Sequence, residues 1–338
     1  MIDSKNSEGI MAKYTYKNGV CEIAACLKAC ESFVFEMEQE ENNVMKKVIL
    51  GTDWWSDCDD ATALRVLTRS IQSKKVDLLG VIINACMEFS VASLDGFLVK
   101  EGIKNIPIGI DRTATGFEGE TRYQKRLSQY AENYKDNDMA EDGVRLYRRL
   151  LADSAEKVHI IEIGFLQTFA ALLQSKGDEY CEKSGIDLVR EKVEKVWIMA
   201  GKWDRDGEKE HNFCLNERTR KGGQYVCVNC PVPITFLGFE VGCSVITGST
   251  LNKEDHLYQA FIDFGAEKGR YSWDPMLALL AVIGDENKAG YETVIGTASV
   301  DEETGANYFN QNKHGKHCFV IKKFADEYYQ KAIDDLIQ

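Results

Sequence analysis

A chain of 338 residues that is 44% hydrophobic and 28% charged can bury a sizeable core, and its balance is that of an ordinary soluble globular protein. A net charge of −13 argues against a nucleic-acid-binding surface, and no apolar run approaches membrane-spanning length. Eleven cysteines, scattered and with no signal-peptide pattern before them, point to free thiols in a reducing cytoplasm.

Residues 1–45 read as an N-terminal extension packed on the main domain or on a partner. Tyr14 to Val20 makes a small strand turning at Asn18-Gly19, and residues 22–41 an amphipathic helix with Ile23, Leu27, Val34 and Met37 on one side. The main domain, 46–338, alternates strand and helix signals to its end, which favours one α/β domain over two. Val48-Ile49-Leu50 is a buried strand; a loop carrying Asp53, Asp57, Asp59 and Asp60 follows, and then Ala61, Ala63, Leu64 and Leu67 recur at helical spacing. Val76 to Asn84 is a second buried strand, a helix runs through 94–100, and Ile106 to Ile110 is a short third strand. Residues 112–137 are polar and irregular, and read equally as a mobile loop over a site and as solvated linker. Helix over 140–151, strand over 158–163, helix over 166–173 and strand over 196–199 come next. Extended segments at 233–237 and 239–241, a helix opening at Asp274-Pro275 and a terminal helix over 324–337 complete the order.

The acidic loop carries the chemistry. In an open α/β sheet it lies at the carboxyl end of a strand, where ligands bind. Four carboxylates within eight residues are costly to pack unless they are solvated, protonated or neutralised by a cation. All-oxygen donors favour a hard ion, Ca²⁺ or Mg²⁺. The plainer reading makes Asp59 or Asp60 an N-cap or first-turn acid that complements the helix dipole. An EF-hand is a poor fit, because counting from Asp57 puts Thr62 where the turn glycine belongs and Thr68 where the bidentate Glu belongs. Cys227 and Cys230 form one CxxC with no second pair, and His314 and His317 read as surface histidines, since a zinc pair there lacks companions.

The strand followed by TDWWSDCDDATALR resembles the start of the nucleoside hydrolase family, inosine-uridine preferring type, whose fingerprint is DxDPGxDDA. The first Asp of that fingerprint is Gly51 here, the second is Asp53 and the final pair is Asp59-Asp60. Two extra residues and Trp54-Trp55 stand in place of the tight Pro-Gly turn, as in a divergent branch. In the family's order, Ile161 to Leu166 resembles the strand ending in GPLTN and Met199-Ala200-Gly201 the MGG segment. Glu210 to Phe213 resembles the EFN segment, and Trp273-Asp274-Pro275 the HDP segment.

The resemblance implies an open, mostly parallel Rossmann-like sheet with helices on both faces, and one Ca²⁺ held by Asp53, Asp60, Asp274 and the backbone carbonyl of Ile163. It implies ribose contacts from Asp59, Glu210, Asn212 and Asp274, with Asn84 as the nearest match to a further family Asn. Each has a plainer account taken alone: Asp274 before Pro275 suits a helix start, and Glu210 suits a solvated charged run. The implied activity is Ca²⁺-dependent hydrolysis of the N-glycosidic bond of a ribonucleoside or other N-riboside, with Asp53 as general base. The family position that often carries His is Trp273, and indole donates no useful proton at neutral pH. His211 is the candidate substitute acid. Trp54, Trp55, Trp203 and Trp273 are candidates to stack on an aromatic aglycone, with core packing the commoner fate of tryptophan, and the preferred one for Trp55. Two rivals follow: a catalytically weakened, metal-containing protein that binds a ribosyl ligand, and a metal-dependent phosphohydrolase, which lacks a DxDxT pattern. Family members commonly form dimers or tetramers, so a homo-oligomer is expected from the resemblance.

Overall fold

The computed structural model describes residues 45–338 apart from 56, 118 and 120. The helix and small strand expected within 1–45 lie outside the described residues, and so does the expected packing of that extension.

Strands form where the sequence offers short apolar runs. β1 (Lys46–Thr52), β2 (Val76–Ile83), β3 (Ile108–Ile110), β4 (Glu141–Asp142), β5 (Val158–Glu162) and β6 (Val193–Met199) build the first part of the sheet. β7 (Glu208–Lys209), β8 (Ile234–Leu237), β11 (Tyr291–Val300), β12 (Ala306–Gln311) and β13 (His317–Lys322) complete eleven strands in the order β4-β3-β2-β1-β5-β6-β8-β13-β11-β12-β7. β9 (Ile246–Thr247) and β10 (Arg270–Tyr271) pair separately. From β4 to β13 all neighbours run parallel, and β11, β12 and β7 add on antiparallel. This is the expected α/β architecture, a large and mostly parallel sheet with helices on its faces. Strand order reverses beside β1, where β2 lies on one side and β5 on the other, so a crevice opens at the carboxyl ends of β1 and β5.

The helices fall into two packed groups. Asp59–Gln72 packs on Trp273–Ile283 and on Asp326–Ile337, while Gly143–Asp153, Gln167–Gln174 and Gly185–Lys192 pack together. The first of these is locked in place by Arg65, fully buried, which pairs with Glu101 and with Asp255 at 2.8 Å and donates to the Ile337 carbonyl at 2.8 Å. Removing one partner of such a buried network leaves an uncompensated charge, so the network fixes where the start of Asp59–Gln72 sits.

Three expectations change. Residues 239–241 form a short helix, Phe239–Gly242, because Gly238 ends β8 in extended conformation and the chain turns at once. Residues 112–137 are tethered: the Asp95 carboxylate accepts the N–H groups of Glu132 at 2.7 Å and Asn133 at 2.8 Å. The Tyr123 hydroxyl donates to the Asp57 carbonyl at 2.9 Å, which ties this segment to the acidic loop. His317 is buried, where a surface residue was expected; its Nδ1 accepts the Ala298 N–H at 3.0 Å.

Burial holds the His317 imidazole down at about 4, so the native protein keeps it neutral while the unfolded chain takes up a proton below about 6.5. Its contribution is therefore present above pH 6.5 and lost as pH falls towards 4, by roughly 3 kcal/mol. Replacing it with Gln should flatten the fall of the urea midpoint between those limits; an unchanged slope would show that other groups set it.

No helix among the described residues is long and apolar enough to cross a membrane. The described cysteines are all free thiols. Cys227 and Cys230 are buried, and burial pushes the Cys230 thiol up to about 11, so the CxxC packs as apolar core.

Candidate active site

Two helix starts meet at the crevice. Helix Asp59–Gln72 begins immediately after the acidic loop with Cys58 at its N-cap, so Asp59 and Asp60 occupy its first turn and neither caps it. Helix Trp273–Ile283 begins after Ser272, which places Asp274 in its own first turn. The two helices pack together, and the Asp274 N–H donates to Asp59 Oδ2 at 3.1 Å. Carboxylate oxygens of Asp59, Asp60 and Asp274 all lie within 4.8 Å of one another, and all three side chains are buried.

That arrangement is electrostatically costly. Burial first, and then the neighbouring carboxylates, push Asp59, Asp60 and Asp274 well above the usual carboxylate range. The positive ends of two helix dipoles offset only part of this. A hard divalent ion would offset more of it, and the donor set suits one, since every donor is oxygen. Asp60 is further fixed by the Thr52 hydroxyl, which donates to its Oδ1, and by the Trp54 N–H at 3.3 Å.

Asp53 lines the same crevice, 2% exposed, with its Oδ1 accepting the Trp55 N–H at 2.9 Å. It lies outside the tight trio; Asp59, expected as a sugar contact, lies inside it. Asp57 lines the crevice too but is engaged by Arg270: its two carboxylate oxygens accept Arg270 Nε, each at 2.9 Å. The loop between these acids holds a left-handed residue, Trp54 at φ 51°, where a side chain is disfavoured. Packing over-determines it, with the indole N–H on Ser93 Oγ at 2.8 Å and the rings of Phe97 and Tyr123 at 5.6 and 5.8 Å. Trp54 is thus a core residue and faces no ligand.

The remaining lining comes from β5, β6 and the segments beyond them. Ile163 follows β5, and its carbonyl accepts Asn212 Nδ2 at 3.4 Å. Glu210, the N-cap of His211–Cys214, accepts the Gly201 and Asn212 N–H groups, each at 2.9 Å, and burial pushes it up to about 7. Glu210, His211 and Asn212 all line the crevice with Met199, Phe239, Arg270 and Trp273, around a volume of about 210 Å³. Asn84 is buried and lies outside that lining: its Oδ1 accepts the Phe165 N–H at 3.0 Å, and its Nδ2 has no partner among the described residues. Trp203 is buried among Phe213, Phe236 and Phe319, and Trp55 packs on Phe117, so of the four tryptophans only Trp273 lines the crevice. Phe239 and Arg270 went unassigned in the sequence. The spacing R-Y-S-W-D-P, which sets Arg270 four residues before Asp274, was the available signal.

Gly51 shows where this chain departs from the fingerprint. Its partner across the β1–β5 ladder is Glu162, and a Cβ on Gly51 would lie 2.0 Å from Glu162 Oε2. The Glu162 carboxylate therefore occupies the space that a side chain at Gly51 would need. Glu162 is fully buried against the Tyr147 hydroxyl, which donates to it, and burial pushes it up to about 8, so it is neutral at pH 7.

No family profile matches the sequence, and no curated protein matches it. Solved structures do match the fold. An inosine-uridine preferring nucleoside hydrolase from Bacillus anthracis aligns with TM-score 0.62 at 15% identity, over 87% of this chain and 99% of its own. The type III effector protein XopQ, solved with adenosine diphosphate ribose, aligns with TM-score 0.63 at 15% identity, over 91% and 98%. The chain has a nucleoside-hydrolase-like fold, with a buried acidic trio at the carboxyl end of its sheet.

Proposed function

We propose that this protein binds a ribosyl ligand in the acidic crevice and hydrolyses its N-glycosidic bond with the help of Ca²⁺. The observation that carries this is the convergence of Asp59, Asp60 and Asp274, from sequence positions 215 residues apart, beside Asp53, Glu210 and Asn212. Oxygens of Asp53, Asp60 and Asp274 and the Ile163 carbonyl would hold the ion, and Asp59 is close enough to join them. When bound, such an ion would offset two of the trio's charges, order vicinal sugar hydroxyls and acidify a nearby water.

The chain's own residues do the rest. Glu210, held at two backbone N–H groups, and Asn212, held at the Met199 carbonyl at 2.9 Å, present fixed polar atoms to the sugar. Asn84 has a buried Nδ2 to spare for a further contact. Asp53 accepts the proton of the attacking water, a role typically worth a hundred-fold to about ten-thousand-fold. His211 is the side chain in the crevice able to protonate a departing base, and Trp273 offers it a ring face to stack on. Asp53→Ala is expected to lower turnover by about a hundred-fold or more. Near-normal turnover in that variant, with the ion still bound, would remove Asp53 as the base.

The alternative is a ribosyl-binding protein with weakened catalysis, and one observation favours it: the Trp273 indole N–H is already spent on the Phe239 carbonyl at 2.7 Å. Calorimetry with ribosides beside a reducing-sugar assay separates the two. Sugar release that chelator abolishes supports the hydrolase; tight binding without release supports the binder.

A further inference from the structure

One side of the crevice is aromatic, with Phe239 and Trp273, and its one tryptophan has no N–H to give. Trp273 stacks on Phe239 with centroids 5.3 Å apart and 28° between planes, and its N–H is committed to the Phe239 carbonyl. Tyr271, 39% exposed, closes on the same indole at 5.4 Å. These rings already hold a cation: the Arg270 guanidinium carbon is 5.2 Å from the Tyr271 centroid and 5.7 Å from that of Trp273. Aromatic faces attract positive charge in this geometry.

The charge of the crevice has the same sense. Asp53, Asp57, Asp59, Asp60, Asp274 and Glu210 line it against a single guanidinium, whose charge Asp57 already matches. A divalent ion offsets two more and leaves acids in excess. His211, taken above as the acid, is exposed and sets its ring against Phe165 at 5.7 Å.

Resting on the hydrolase reading above, we propose that the preferred substrates are ribosides whose leaving heterocycle is already cationic, such as N-alkylated purines or pyridinium rings. In such a substrate the C1′–N bond breaks with its electron pair passing to a ring nitrogen that carried formal positive charge, so the heterocycle departs neutral and takes no proton. Water supplies oxygen to C1′ and gives its proton to the Asp53 carboxylate. A neutral nucleoside must instead be protonated as it leaves, or depart as an anion into a field of carboxylates.

The test compares three ribosides with the full-length protein and calcium: inosine, its N7-methylated cation, and p-nitrophenyl riboside, whose aglycone needs no acid but bears no positive charge. Each kcat/KM is divided by the uncatalysed hydrolysis rate of the same compound. Before that division the cation should exceed inosine by at least about a hundred-fold, the low end of what a general acid supplies, and after it the cation should still lead. It should also exceed the nitrophenyl compound, and its KM should rise with salt while that of inosine stays flat. A nitrophenyl riboside that matches the cation, or inosine turned over as well as the cation, overturns the charge preference and leaves the hydrolase reading standing. Failure to cleave any of the three removes the hydrolase reading, and this proposal with it.

Discussion

Asp60→Asn is expected to raise the melting temperature of the cation-free protein and to abolish the further rise that calcium produces in the unaltered chain. Asp60 is 2% exposed, within 4.8 Å of the Asp59 and Asp274 carboxylates, and pushed up by burial and by Asp53. An amide of the same shape keeps an Oδ1 for the Thr52 hydroxyl and the Trp54 N–H, and removes one charge from the repelling set. The unaltered chain at a hundred-fold excess of ion over its dissociation constant should gain about 2.7 kcal/mol, some 5 °C for a domain of this size. The variant should show no such gain, and its riboside cleavage should fall by about a thousand-fold, the loss expected when a preorganised electrostatic contact to the transition state is removed. Differential scanning fluorimetry with calcium and with chelator reads the first effect and sugar release the second. A calcium-dependent shift that survives in Asp60→Asn would place the ion elsewhere.

Gly51→Asp, which would restore the family fingerprint on paper, is expected to leave little folded protein. The new Cβ would sit 2.0 Å from Glu162 Oε2 and 2.6 Å from its Cδ, inside a fully buried ladder. A second carboxyl would also enter a space where the first is held neutral only by its raised affinity for a proton. Overpacking together with an unpaired buried acid costs more than about 4 kcal/mol. The double variant Gly51→Asp with Glu162→Ala removes the obstruction and should recover much of the urea midpoint. If Gly51→Asp alone folds as well as the unaltered protein, Glu162 does not fill the space of the missing acid.

The parts of the fold that could be read in advance are those where local pattern and tertiary role agree. β1 and β2 centre on short buried apolar runs, Val48 to Leu50 and Val81 to Ile83, and the acids between β1 and the following helix mark a strand end whatever surrounds them. The helix Glu217–Asn229 was also there to be read: Asn216 and Thr219 satisfy each other's backbone N–H groups in a capping box, but its weakly apolar first turns hid it. Phe239–Gly242 went wrong for a different reason, since Phe239 and Val241 alternating about Glu240 look extended until a turn is imposed on them. His317 reads as surface because its neighbours Lys313, His314 and Lys316 are polar; the pairing of β13 with β8 on one side and β11 on the other carries it inside.

By itself the sequence determined that acids gather at the end of the first strand, that Asp274 opens a late helix, and that Glu210 and Asn212 recur in a family order. It could not divide labour among the acids. Asp57 and Asp59 are two residues apart, yet one is drawn to Arg270 and the other into the buried trio with Asp274. Only the tertiary structure decided this, because the energy of a carboxylate depends on which charges approach within a few ångströms and how much water remains, and both are set by residues more than two hundred positions away.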